Sequence, residues 1–260
     1  MIPKIALTKP YLSQLVALFL LALLFVAAPR AMAQSNNWNF GFSFNGKSTK
    51  GNGQIVQDAR KLTGFDRIES RGGVDLVIKQ ATSESVVVVT DSNIAPLVVT
   101  TVENGKLIIN AKGNWSTRSN VKVMVDVVNL TSVGVTGSGD VSARGLNLKQ
   151  LAVSISGSGD ARLEEFNGET LSASISGSGD FFATGKAANQ TYSIAGSGDI
   201  RTDGLEGSNV SVSIAGSGDA KVWATQSLDV AVAGSGDVRY RGTPTNVKKR
   251  VAGSGSVSQM

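Results

Sequence analysis

The tetrapeptide Gly-Ser-Gly-Asp occurs six times in the second half of this chain, beginning at Gly137, Gly157, Gly177, Gly196, Gly216 and Gly234. A seventh copy at Gly253 reads Gly-Ser-Gly-Ser, and successive starts differ by 20, 20, 19, 20, 18 and 19 residues. A near-constant period of this size marks a repeat architecture, whose units bury their apolar faces only by stacking on one another. Within a unit the apolar residues alternate. Leu151, Val153, Ile155, Gly157, Gly159, Ala161 and Leu163 share one parity, and Leu171, Ala173, Ile175, Gly177, Gly179, Phe181 and Ala183 repeat it. Strand side chains alternate between faces, so this parity is the buried one, and Ile155, Ile175, Ile194, Ile214 and Val232 are expected to form one core column. The two glycines of each motif fall on the inward side, where the lack of a side chain permits a bend or a close backbone approach. A second short strand follows each motif, then a turn such as Asn167-Gly168 or Asp203-Gly204.

At about 3.3 Å per residue, twenty residues trace about 65 Å, which suits one coil of a two- or three-sided solenoid with parallel strands about 4.8 Å apart. The expected fold is therefore all-β, a right-handed parallel β-helix, its hand following the preference of parallel crossovers. A Greek-key sandwich is the competing fold, and it does not account for so constant a period.

The N-terminus reads as a secretory signal over 1–33. Lys4 and Lys9 are the positive region, Leu12 to Ala28 the apolar region, and Ala31-Met32-Ala33 the small-x-small cleavage site. No membrane span is expected after cleavage. Of the 25 basic residues, three lie in this segment, which leaves 22 against 20 acidic ones and little reason to expect a nucleic-acid partner. Residues 34–62 read as a flexible Gly/Asn/Ser-rich leader with interleaved aromatics. Residues 63–130 read as irregular N-terminal coils, with Asn104-Gly105 as a tight turn and a brief helical turn around Pro96. Residues 131–260 are the repeats proper. Cysteine and histidine are both absent. That removes disulfides, Ser-His-Asp and Cys-His catalysis and His-ligated zinc.

Stacked in register, Asp140, Asp160, Asp180, Asp199, Asp219 and Asp237 form an outward column. Carboxylates about 4.8 Å apart repel by roughly 1 kcal/mol in water and about 3.5 kcal/mol at an effective dielectric of 20. A calcium ladder would offset this, but calcium takes six to eight oxygens and each coil offers one carboxylate. The favoured reading is structural: Asp caps backbone N–H groups at the bend, and Arg162, Arg201, Lys221 and Arg239 two residues on supply counter-charge. No cofactor is expected. The other outward columns are small and polar. Ser154, Ser174, Ser193 and Ser213 form one with Ala231, and Thr136, Ser156 and Ser176 begin another that continues as Ala195, Ala215, Ala233 and Ala252. They make a flat face that either simply stacks well or docks a surface glycan, an envelope protein or the leader segment.

The repeated Gly-Ser-Gly-Asp resembles the bacterial family named putative auto-transporter adhesin, head GIN domain. Upstream, Phe65-Asp66-Arg67-Ile68, Gly73-Val74-Asp75-Leu76-Val77-Ile78, Asp91-Ser92-Asn93-Ile94 and Asn104-Gly105-Lys106-Leu107-Ile108-Ile109 follow that family's opening pattern, and the likeness covers about residues 63 to 250. The resemblance implies a β-solenoid and an exported or surface location, and it carries no catalytic residues. The expected function is a non-enzymatic binding, adhesion or scaffolding module of the cell envelope, periplasmic, on the surface or secreted. A polysaccharide lyase or hydrolase is the alternative. Its carboxylate pair would be Glu164-Glu165 beside Phe166, the one acidic cluster outside the periodic column. The last coil ends with Lys248, Lys249 and Arg250 beside Val247, Val251 and Val257. A charged rim discourages edge pairing, so a monomer is expected.

Overall fold

A computed structural model describes residues 48–260. The expected signal segment and the first part of the leader, with its aromatics, lie outside the described residues. The repeats form a β-solenoid in which each coil hydrogen-bonds in parallel to the coils on either side. Ala161–Gly177, Phe181–Gly196, Ile200–Gly216 and Ala220–Gly234 follow one another in register, with Gly157, Gly177, Gly196, Gly216 and Gly234 aligned. The core column holds: Ile155, Ile175, Ile194, Ile214 and Val232 are each 1–3% exposed. It continues into the N-terminal coils through Val135, Ser70 and Ile109.

Each long strand is broken by a register shift shortly after the tetrapeptide, such as that between Leu163 and Phe166. This second bend differs from the sequence expectation. Asn167-Gly168 lies within paired strand, opposite Asn147 and Leu148, and the chain turns earlier, at Glu165 with φ 56°. Asp203-Gly204 does fall at an irregularity, between Thr202 and Glu206. Gly168 is needed for space, because a Cβ there would lie 2.3 Å from the Leu148 carbonyl oxygen. A turn dipeptide and a close-approach glycine look alike in one sequence.

The N-terminal coils stack out of chain order. Arg67–Gly72 pairs in parallel with both Lys106–Ala111 and Ser132–Gly137. Asp75–Gln80 likewise lies between Lys122–Val127 and Val141–Arg144. The first coil of the chain is thus the second of the stack. Antiparallel strands cover the end beyond it. Val98–Glu103 folds back on Lys106–Ala111 through Asn104-Gly105, both at positive φ as a two-residue hairpin requires. Ser85–Asp91 runs antiparallel to Lys122–Val127, and Ile55–Arg60 pairs antiparallel with it in turn. The described part of the expected leader therefore contains strand, including a Thr49–Lys50 bridge to Trp115–Ser116. Its alternation is masked by Gln57, Asp58 and Arg60 because this outer strand is only partly covered. Ala95–Leu97 is a single 3-10 turn with Pro96 in it, as expected.

Candidate functional site: a carboxylate ladder beside a flat serine face

The tetrapeptide corner is built from backbone packed on backbone. A Cβ on Gly177 would lie 2.2 Å from the Gly157 carbonyl oxygen, and one on Gly179 would lie 2.0 Å from that of Gly159. The first glycine also sits at φ +134°, where side chains are rarely tolerated. Between the glycines the N–H groups of Ser178 and Gly179 both reach the Gly157 carbonyl, at 2.9 and 3.2 Å.

The aspartates close the corner. The backbone N–H of Asp160 donates to Oδ1 of Asp140 at 2.9 Å, and the same bond recurs from Asp180 to Asp160, Asp199 to Asp180, Asp219 to Asp199 and Asp237 to Asp219 at 2.8–3.0 Å. Asp75 begins the ladder under Asp140, and Ser256 ends it with both its N–H and its hydroxyl on Asp237. Each carboxylate is thus a backbone cap shared between coils. With Oδ1 so engaged, one carboxylate per coil does not meet calcium's need for six to eight oxygens. Among the described residues no three of His, Cys, Asp and Glu are grouped to hold a metal ion.

The counter-charges distribute unevenly. Arg201 reaches Oδ2 of Asp199 at 3.1 Å and of Asp180 at 3.4 Å, and these carboxylates hold its guanidinium above the ordinary arginine range. Arg162 turns away from the column. It pairs with Glu164 at 2.7 Å and lies 4.0 Å from the Phe182 ring centroid, a cation–π contact that the sequence reading missed although both residues hold the same column. Among the described residues Lys221 and Arg239 form no ion pair.

The two acids of the enzyme alternative face different partners. Glu164 binds Arg162, while exposed Glu165 binds Arg144 at 2.5 Å, and Arg144 holds the Glu165 carboxyl below the usual carboxylate range. A general acid for glycoside cleavage needs the opposite shift.

The flat face lies on the side preceding the corner. Ser154, Ser174, Ser193 and Ser213 are exposed and in register, continued by Gly134 on one side and Ala231 on the other. Ser154, Ser156, Ser174 and Ser193 line one shallow depression of about 430 Å³, while Ser176 and Ser213 lie on the same face outside it. Charged groups close its end: Glu69 binds Lys106 at 2.9 Å and Arg71 at 2.6 Å, and these two bonds hold its carboxyl below the ordinary range. The serines are nearly free of one another, with one long contact of 3.4 Å between Ser154 and Ser174. Their hydroxyls remain open to a ligand.

A further polar site went unread in the sequence. Asp91 is 2% exposed and accepts the Gly53 N–H at 2.5 Å and the Thr117 hydroxyl. The Thr117 bond, above all, holds its carboxyl below the usual range against the opposing effect of burial. It ties the Gly51–Gly53 loop to the 116–119 loop, and Gly51 has no room for a Cβ beside it. Nothing in the run Val86 to Asp91 signals burial of its last residue.

This corner-and-ladder repeat matches a family model over residues 64–244, described as putative auto-transporter adhesin, head GIN domain. The chain belongs to that family. Solved structures share the fold. A putative adhesin from Bacteroides fragilis has a TM-score of 0.78 at 23% identity, covering 82% of this chain and 100% of its own. A putative lipid binding protein from Parabacteroides distasonis has a TM-score of 0.66 at 26% identity, with the same coverage. A putative adhesin from Parabacteroides merdae has a TM-score of 0.64 at 22% identity, covering 82% of this chain and 99% of its own. No curated protein matches the chain. Among the described residues no helix is long and apolar enough to cross a membrane.

Proposed function

We propose that this head GIN domain is an exported, non-enzymatic adhesion module of the cell envelope that docks a surface glycan on its serine face. The observation that carries this reading is the register of Ser154, Ser174, Ser193 and Ser213 on one exposed side, the first three of them lining a shallow depression that Glu69 and Lys106 close at one end. Each hydroxyl both donates and accepts, and the column repeats about every 4.8 Å, so weak contacts add along a polymer. The adhesin names of the family and of two neighbours agree with it. The Lys4, Lys9 and Ala31-Met32-Ala33 signal supports export. The paired, ionised state of Glu165 weighs against the lyase or hydrolase alternative.

The test is binding of the mature protein to a panel of surface glycans, with anionic and neutral lipid vesicles as a second arm because one structural neighbour is named for lipid binding. Ser174→Arg with Ser193→Arg places two long charged side chains on the floor. Glycan affinity should fall at least about tenfold, which is about 1.4 kcal/mol, at an unchanged melting temperature. Undiminished glycan binding by the double variant, or binding to vesicles alone, would overturn the assignment.

A further inference from the structure

The corner that Gly-Ser-Gly-Asp closes in the repeats is built differently in the coil at the covered end. Between Lys106–Ala111 and Lys122–Val127 it is a longer loop, residues 112–121, and the loop 51–53 is bonded to it. Surface loops held by a rigid frame are where binding groups gather. A cavity of about 430 Å³ opens between the two loops, a size that suits a small-molecule site. Its wall is residues 50–53, Asp91 and residues 116–119, every one of them polar or glycine. Such a wall has nothing for an acyl chain or an aromatic ring.

Much of the wall is bonded to the protein itself. The Gly51 N–H donates to the Ser116 carbonyl at 2.8 Å, that of Asn52 to Oδ1 of Asn93 at 3.1 Å and that of Gly53 to Asp91. The Asn52 amide donates to the Ser92 hydroxyl at 2.8 Å, and its oxygen accepts the Gln54 N–H at 3.0 Å. These bonds fix the frame before a ligand arrives. The groups left over are of two kinds. Lys50 and Arg118 are exposed and, among the described residues, form no ion pair, while the Ser116 hydroxyl beside them makes no hydrogen bond. Asp91 is 2% exposed and takes two hydrogen bonds on its carboxylate, from Gly53 and Thr117, about half of what a carboxylate accepts. Two cations and one buried carboxylate in a single cavity select among ligands. Free phosphate gains from Lys50 and Arg118 but is repelled by Asp91. A neutral sugar supplies donors to Asp91 and leaves the cations unanswered. A sugar with a carboxylate of its own answers both. We propose that this corner cavity binds one acidic sugar residue, with Lys50 and Arg118 on its carboxylate and Asp91 and Ser116 on its hydroxyls. The site is separate from the serine face and stands without it.

The mature protein is titrated with glucuronate, galacturonate and N-acetylneuraminate, and with glucose, inorganic phosphate and glycine for comparison, while amide resonances are followed by NMR. At least one acidic sugar should shift the amides of residues 51–53 and 116–119 and bind at least about tenfold more tightly than glucose, phosphate or glycine. Lys50→Gln with Arg118→Gln should remove that preference without moving the melting temperature, and Lys50→Arg, which keeps the charge, should retain it. Ser174→Arg with Ser193→Arg, which obstructs the serine face, should leave it intact. Acidic sugars that bind no better than the three comparison probes, shifts confined to the serine face, or a preference that survives the Gln pair would overturn the proposal.

Discussion

Glycine at the first and third positions of the tetrapeptide is set by the neighbouring coil as much as by its own bend. Gly198 shows this without any special φ: its Cβ would meet the Gly179 carbonyl oxygen at 2.0 Å. Gly198→Ala should therefore destabilise by about 2–4 kcal/mol through forced separation of two coils, read as a urea midpoint. The aspartate beside it acts by accepting a hydrogen bond. Asp199→Ala leaves the Asp219 N–H without its acceptor and Arg201 with Asp180 alone, and should cost about 1–2 kcal/mol, whereas Asp199→Asn keeps a side-chain oxygen for that N–H and should recover most of it. A chelator should leave the melting temperature of both proteins where it was, and a drop confined to the parent would restore the calcium ladder. Asp91 gives the pH dependence. Its folded pKa is depressed, so its contribution is present above the ordinary carboxylate range and is lost as pH falls through the folded value. The stability gap between the parent and Asp91→Asn should close on acidification from about pH 5 to pH 2, and a gap that stays constant would mean that the carboxylate's charge is not what holds the two loops.

Strands here are specified by columns more than by individual propensity. Ile175 is 2% exposed between Ile155 and Ile194, and Ile175→Ala should cost about 2–5 kcal/mol by equilibrium unfolding. A loss below about 1 kcal/mol would contradict the column. The column was legible because the period is constant and one parity is apolar in every copy. The inward positions that escaped notice are polar. Ser70 occupies the same column and gives its hydroxyl to the Val74 carbonyl at 3.4 Å. Gln190 and Tyr192 bond to each other in the core at 2.9 Å, and burial raises the Tyr192 pKa. A serine or glutamine in a strand looks outward until its partner is known, and here the partners are backbone carbonyls, that of Val74 for Ser70 and those of Ala187 and Leu205 for Gln190. The serine face was read correctly as a row, but its depression and the Glu69–Lys106 closure depend on coils that stack out of order, so the sequence pattern could not display them. The order of the 67–80, 106–127 and 132–144 coils rests on pairings between segments out of chain order, which a period of apolar residues does not encode.

Over the whole molecule the stack is a one-dimensional series of contacts between neighbours, so its protection need not be uniform. Amides of Asn246–Gly253 and Val257–Gln259, which among the described residues have a partner strand on one edge, should exchange hydrogen first. Those of Arg67–Gly72, with a strand on either side, should exchange among the last, as residue-resolved exchange would record. Equal protection at both places would mean that the solenoid unfolds as one unit. The interleaving of the N-terminal coils carries this into the way the chain can be made or cut. On emerging from a ribosome or a translocation pore, Arg67–Gln80 has neither of its stacking partners, and both arrive later in the chain. Construction of the stack cannot simply proceed from one terminus to the other. A truncation that begins near residue 100 does not shorten the stack from its tip: it withdraws a layer from between two that remain, leaving a gap where Lys106–Ala111 and Ser132–Gly137 had been held one strand apart.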